Sequence, residues 1–354
     1  MFCNNGALNI YMKTNWLNHL GAPETGGPLS IESVFYESEG HIVDGLLKDD
    51  LGQYYPIIKG VPVFVDNIDE LYPAWIDEYQ EQIGPSVAES FLGKGYDFGT
   101  RKVQDSFGYE WSRYHRVIPE YDKNYVHQTG IDDNYYRGKT ILDAGCGYGR
   151  HVSYISSVED TTVIGIDLSE AIFIAYDKLK ARDNVVLAQG SLYRPPVRRG
   201  HFNFVYSWGV LHHTPSVEQG FISIISTVAK GGEISFGAYR NWNSIGTTFQ
   251  KVLRFFTCRM SKDLLYYICY LSVPANWLYN SIFRHIPLVR ELFRVFIKPA
   301  KDWRICHTDT FDWWHPYYNH YHTLAELKDM VERAGLDLES EDVPYNSVRA
   351  SVAS

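Results

Sequence analysis

The run Thr140-Ile141-Leu142-Asp143-Ala144-Gly145-Cys146-Gly147-Tyr148-Gly149-Arg150 constrains the fold more than any other part of this chain. Residues suited to a buried strand lead straight into three glycines at alternate positions, and these open a helical segment. A second apolar run, Val163-Ile164-Gly165-Ile166-Asp167, ends on a carboxylate 24 positions after Asp143. A strand, a glycine turn, a helix and a second strand with a terminal acid make a nucleoside-binding half of a doubly wound sheet. The glycines let the backbone approach a ligand closely, and the acid can accept two hydrogen bonds from a ribose diol.

The glycine spacing separates two cofactors. Dinucleotide sites read G-x-G-x-x-G, and the helix N-terminus receives a pyrophosphate. Here the turn is Gly145-x-Gly147-x-Gly149, preceded by Asp143-Ala144. A carboxylate beside the turn repels a pyrophosphate but can hold the ammonium of a methionine moiety, which favours S-adenosyl-L-methionine over NAD. The block LDAGCGYGR, Leu142 to Arg150, resembles the first motif of the class I S-adenosylmethionine-dependent methyltransferases.

That resemblance implies an α/β fold with a Rossmann-like seven-stranded sheet, S-adenosylmethionine as cofactor and methyl transfer as the reaction. It implies Asp143, Gly145 and Gly147 around the methionine portion, Asp167 on the ribose and Leu168 against the adenine. The alternatives are an ordinary tight turn for the glycines and a helix cap for Asp167, a part that Ser169 could equally play. At the end of the third expected strand, Gln189-Gly190-Ser191-Leu192, related enzymes carry Gly-Asp and an apolar residue. Ser191 replaces that acid here, and either its hydroxyl or Gln189 could contact the adenine. Asn203 to Thr214 resembles the fourth-strand motif, which puts Ser207 through His213 at the reaction centre. His213 and His212 are then candidate bases, with helix capping or packing under the adenine as the alternative. The paired acids of aminopropyl transferases and the N/D-P-P-Y/F motif of nucleic-acid amino methyltransferases are absent.

Phe311 to Thr323 is dense in aromatics and imidazoles. A similar run, F-D-x-x-x-P-x-Y-x-H-x-H-T, borders the acceptor pocket in related enzymes, which makes His320 or His322 a further candidate base. His315, His320 and His322 could suggest a metal site, but neither their spacing nor a nearby set of acids is diagnostic; lining of the acceptor pocket is the favoured reading, and no metal is expected.

Alternating patterns predict strands near 140–144, 163–167, 185–189, 203–208 and 232–238, and closing strands near 336–343 and 346–352. Between the two groups, Thr323 and Glu326 signal a capped helix ending at Gly335. Before the core, Leu20 to Leu29 and Tyr55 to Phe64 resemble a zinc-ribbon-like methyltransferase activator module. Ala22, Thr25, Lys48 and Leu51 stand where its cysteines would be, so a metal-free module is expected. The expected division is a degenerate ribbon-like module over 1–66 and a helical linker or lid over 67–137. A cofactor-binding core over 138–238, a helical cap insertion over 239–308 and a core-completing segment over 309–354 follow. In the lid segment, Ser106 to Tyr114 resembles an S-F-G-x-x-W stretch that closes over the cofactor, and it also reads as a packing face.

Charge sets the insertion apart. Residues 239–304 hold eleven Lys/Arg against three Asp/Glu, while the whole chain has a net charge of -9. The overall sign argues against a nucleic-acid partner. Pro274, Asn276 and Asn280 interrupt the insertion's apolar run, so a membrane span is not expected. A cap over an apolar acceptor, plain docking on the core and peripheral contact with anionic lipid remain as readings. Five scattered cysteines suit a reducing compartment, and the first residues lack a secretory pattern, so a cytoplasmic protein is expected. The function implied is methyl transfer to the oxygen, nitrogen or carbon of a bulky, partly apolar small molecule. The alternative, raised by Ser191 and the absent zinc ligands, is a non-catalytic S-adenosylmethionine-binding partner subunit of another methyltransferase.

Overall fold

The computed structural model describes residues 14–38, 40–93, 95–114, 131–240, 245–343 and 345–353. The first residues, read above for a leader, and residues 115–130 of the lid segment lie outside them. The chain opens with an antiparallel sheet of four strands, β1 (Leu29–Ser38), β2 (His41–Asp49), β3 (Tyr54–Ile58) and β4 (Val61–Pro62), paired in sequence order. The turn between β2 and β3 is organised by one carboxylate. Asp49 Oδ1 accepts the Leu51 and Gln53 amides at 3.0 and 2.8 Å, and Oδ2 accepts the Tyr55 hydroxyl at 2.9 Å. That network, with the Asp49 amide donating to the Gln53 carbonyl at 3.0 Å and the Gly52 amide to the Asp49 carbonyl at 3.2 Å, holds the turn that contains Leu51 and follows Lys48.

The central sheet contains β5 (Thr140–Ala144), β6 (Thr162–Asp167), β7 (Val185–Gln189), β8 (Phe202–Ser207) and β9 (Val228–Gly237). A short parallel pair, β10 (Tyr239–Arg240) and β11 (Tyr321–His322), lies apart, and β12 (Asp337–Asp342) and β13 (Ser347–Ser351) close the sheet. The order is β12-β13-β9-β8-β5-β6-β7, with β5 to β9 parallel and β13 antiparallel to both neighbours. All seven expected strands are present, and the sheet is the Rossmann-like α/β arrangement expected. Strands covered on both faces read as continuous apolar runs, and Ile141, Leu142, Ile164, Val205 and Phe236 are fully buried accordingly. Chain order reverses between β6 and β8 on either side of β5, so their carboxyl ends leave a crevice. The helix Leu324–Arg333 carries its expected capping box: the Glu326 carboxylate accepts from the Thr323 amide at 2.7 Å, and Thr323 Oγ1 from the Glu326 amide at 3.2 Å.

The amino-terminal sheet is not a separate body. Leu20, Leu47, Tyr55 and Phe64 belong to the buried cluster that also holds Leu142 and Ile164. Val63 bridges Gln189 in parallel register, and the Phe64 amide donates to the Gln189 carbonyl at 2.8 Å. The module therefore covers the β7 edge, which would otherwise present unpaired backbone groups. Gln189 makes the join with its side chain too. Its Oε1 accepts the Tyr72 hydroxyl at 2.6 Å, and its Nε2 donates to the Leu168 carbonyl at 3.1 Å. Gln189→Leu strands a buried hydroxyl, and a loss of about 1–3 kcal/mol is expected in urea unfolding. Unchanged stability would mean that the edge is held by packing alone.

The insertion is helical, with Ile245–Thr257, Lys262–Cys269, Ser272–Ser281 and Pro287–Phe296 followed by Trp303–Trp314. The last helix crosses the 308/309 boundary drawn from sequence and packs on Ser272–Ser281. Buried Arg254 ties it down by donating to the carbonyls of Trp313 and, at 2.6 Å, Pro316. Among the described residues no helix is long and apolar enough to cross a membrane.

Candidate active site

The crevice at the carboxyl ends of β5, β6, β7 and β8 opens into a cavity. Its floor is the glycine turn. Gly145 and Gly147 have φ of +97° and +54°, a region that side chains disfavour. A Cβ on Gly145 would lie 2.5 Å from the Val210 side chain, and one on Gly147 would point at Trp111 Nε1 at 3.2 Å. The turn therefore has no room for side chains between floor and roof.

Asp167, at the end of β6, locks the floor. Its Oδ2 accepts the Gly147 amide at 2.7 Å, and Oδ1 accepts the Ser169 amide and hydroxyl at 2.8 and 2.6 Å. Leu168 and Ser191 complete this wall. Ser191 Oγ also accepts the Tyr193 amide at 3.2 Å, which keeps the hydroxyl proton available to a ligand acceptor.

The roof is the helix Phe98–Tyr114, which presents Thr100, Val103, Gln104, Phe107 and Trp111 to the cavity along one face. Trp111 packs on Tyr148, with ring centroids 5.0 Å apart. Tyr318 pins the start of this helix by donating to Asp97 Oδ1 at 3.0 Å. The Ser106 to Tyr114 segment thus both covers the cavity and packs, because the same face does both.

Of the four candidate histidines, His212, His213, His320 and His322, His213 alone lines the cavity. His213 is buried, and its Nδ1 lies 3.0 Å from the Tyr318 carbonyl. A carbonyl only accepts, so Nδ1 carries the proton and Nε2 keeps its lone pair. Burial pushes the imidazole down to about 4, against a smaller opposing pull from Asp312, so it is neutral near pH 7. His212 instead packs between His213, edge-on, and Tyr239, tilted, at ring distances of 4.2 and 3.9 Å. His320 spends Nε2 on the Thr214 carbonyl at 2.9 Å and its amide on the His212 carbonyl at 2.8 Å. Neither lines the cavity: the 3-10 turn Leu211–His213 aims His212 and His213 in different directions, and the two hydrogen bonds to carbonyls hold His320 aside.

Three expected cofactor contacts also stand behind the wall. Gln189 is turned toward Tyr72, as described. Ser207 is fully buried and donates to the Ala144 carbonyl at 2.8 Å, tying the ends of β8 and β5 together. Asp143 is 2% exposed and has one oxygen, Oδ2, without a hydrogen-bond partner. Burial pushes its carboxyl up to about 7, although a Tyr206 hydrogen bond opposes the shift. A carboxyl that binds its proton more tightly when folded stabilises the fold below about pH 4, and this contribution is lost as pH rises through about 7. Up to about 4 kcal/mol is at stake. Asp143→Asn should flatten that decline in urea unfolding at several pH values. Parallel curves for both proteins would remove Asp143 as the cause.

Several lining residues were not singled out from sequence. Arg150 and His151 follow the glycine turn, and their position immediately after that motif was the available signal. Trp208, Gly209 and Val210 line the cavity too, within the Ser207 to His213 stretch expected at the reaction centre. Thr100 and Val103 gave no signal, since only the docked helix brings them over the turn.

Residues 141–232 match the sequence profile of the family described as methyltransferase domain. An uncharacterized protein of Synechococcus sp. is 31% identical over 159 residues, covering 43% of this chain and 36% of that protein. A tRNA U34 carboxymethyltransferase of Actinobacillus succinogenes is 26% identical, covering 55% of this chain and 58% of the relative. The chain thus spans less than two thirds of either relative. Among solved structures, a 1,6-didemethyltoxoflavin-N1-methyltransferase of Burkholderia thailandensis aligns with a TM-score of 0.45 and 12% identity, over 72% of this chain and 88% of that one. A magnesium protoporphyrin IX methyltransferase of Synechocystis aligns with a TM-score of 0.41 and 16% identity, over 71% and 98%.

Proposed function

We propose that this chain transfers a methyl group from S-adenosylmethionine to a small, partly apolar acceptor. One observation carries the reading: Gly145, Gly147, Asp167, Leu168, Ser191 and His213, all within the segment that matches a methyltransferase profile, converge on one roofed cavity. When bound, S-adenosylmethionine supplies a sulfonium-activated methyl group for in-line displacement. The residues present fit such a molecule. The glycine turn lines the cavity with backbone free of side chains, Asp167 offers carboxylate oxygens for a diol, and Asp143, behind the turn, adds a buried carboxyl with one unpartnered oxygen. Arg150, also on the wall, is a partner for a carboxylate.

His213 is the proposed base. Its neutral imidazole would take the acceptor's proton on Nε2, which would free the acceptor's electron pair to bond the methyl carbon while the carbon–sulfur electron pair would stay with the departing thioether. The Tyr318 carbonyl then stabilises the imidazolium through Nδ1–H. Phe107 and Trp111 exclude water and hold the acceptor against the turn, and alignment of this kind is worth roughly 7–11 kcal/mol. The four-stranded module is read as a metal-free relative of the ribbon, with its Asp49 turn in the place of ligands.

A small acceptor is preferred to tRNA because the cavity lies under a helix and the chain is acidic overall. Calorimetric titration with S-adenosylmethionine, followed by an acceptor panel that includes bulk tRNA, tests the reading. Micromolar cofactor binding and turnover on small molecules are expected. No cofactor binding would sink the proposal, and methylation of tRNA alone would overturn the acceptor class.

A further inference from the structure

Of the 25 large apolar side chains exposed among the described residues, 15 lie between Phe249 and Phe296, so this part of the surface is the exceptional one. They fall in stripes at helical spacing. Leu288, Leu292 and Phe296 are 83%, 58% and 43% exposed on one side of Pro287–Phe296, a helix with no buried residue. Phe296 meets Phe249 at 5.7 Å, and Phe249, Val252 and Phe256 extend the apolar surface along Ile245–Thr257. Ser272–Ser281 packs beside Pro287–Phe296 and adds Trp277, which is 66% exposed.

The charge of the same surface runs against that of the chain. Lys251, Arg259, Arg284, Arg290 and Arg294 face solvent there. The acids are Asp263, paired with Arg113 at 2.8 Å, and Glu291, shared by Arg290 and Arg294. A chain of net charge -9 therefore offers an anionic surface one basic, apolar and aromatic face. Protein–protein interface cores exclude charge and push it to a rim, whereas here arginines interleave with the apolar rows on short amphipathic helices.

We propose that the 245–296 face docks on the surface of a bilayer containing anionic phospholipid. The apolar stripes enter the headgroup–acyl boundary while the basic side chains stay at the headgroups. The proposal goes beyond the methyl-transfer reading and does not depend on it.

Co-sedimentation of the full chain with vesicles of phosphatidylcholine, with and without about 30 mol% phosphatidylglycerol, tests it. Binding is expected to the anionic vesicles, to be weak on neutral ones, and to fall in about 0.5 M salt. The double variant Leu288→Ser/Leu292→Ser should bind the anionic vesicles roughly tenfold more weakly, with circular dichroism unchanged. If that variant does not fold, Trp277→Ser on a separate helix carries the same expectation. The proposal is overturned if the wild type ignores both vesicles or if folded variants bind as it does. A wild-type dimer in sedimentation velocity that these variants make monomeric, without vesicle binding, would assign the face to a second copy of the chain instead.

Discussion

Asp167→Ala is expected to abolish measurable S-adenosylmethionine binding. The carboxylate is the group proposed to take both ribose hydroxyls, and hydrogen bonds to a charged group contribute about 1.5–3 kcal/mol each. Losing two weakens binding by roughly 100- to 10,000-fold. The same side chain holds the Gly147 amide at 2.7 Å and caps Ser169, so the substitution also frees the glycine turn. Asp167→Asn separates the two effects, since the amide keeps an acceptor oxygen for the turn but lacks the charge. Isothermal titration on all three proteins measures this. Tight binding by Asp167→Ala would show that the ribose is held elsewhere and would withdraw the assignment of β6 as the nucleoside strand.

His213→Gln should lower kcat by roughly 100- to 10,000-fold, the usual range for a lost general base, with the affinity for S-adenosylmethionine within about threefold of wild type. Glutamine can still donate to the Tyr318 carbonyl, so the 3.0 Å contact that orients the residue is available to the variant. His212→Gln serves as the contrast: its imidazole packs on Tyr239 away from the cavity, so stability rather than kcat should suffer. The pH profile carries a separate signature. With His213 held down to about 4, activity should show no acid inflection near 6.5 and should fall only as pH drops through about 4 and the imidazole protonates. Equal rates for His213→Gln and wild type would assign proton removal to another group.

The positions that sequence reading identified without help are those whose constraints are local. Gly145 and Gly147 need positive φ, Asp167 ends a strand, and Thr323 with Glu326 caps a helix. Each is specified by neighbours within a few residues, and each stands where expected. Gln189 illustrates the opposite case. Its place after the third strand pointed to the adenine, yet its amide is consumed by Tyr72, 117 residues earlier in the chain. The module's arrival at the β7 edge gave Gln189 that partner, and strand patterning carries no trace of it. The same holds for the boundary at 308/309, where Arg254 fastens Trp303–Trp314 to the insertion across about sixty residues of sequence.

By itself the sequence determined the sheet, its order of motifs and the glycine turn that makes a ligand cradle, because backbone sterics and strand burial act over short stretches of chain. Tertiary structure alone decided which of His212, His213 and His320 faces the cavity, since the three are chemically alike and the Tyr318 and Thr214 carbonyls sort His213 from His320. It also decided that the Phe98–Tyr114 helix forms the roof and that the basic, aromatic insertion leaves its apolar stripes in solvent. An amphipathic pattern records that one face of a helix is apolar, while what that face meets depends on where long-range packing sets the helix down.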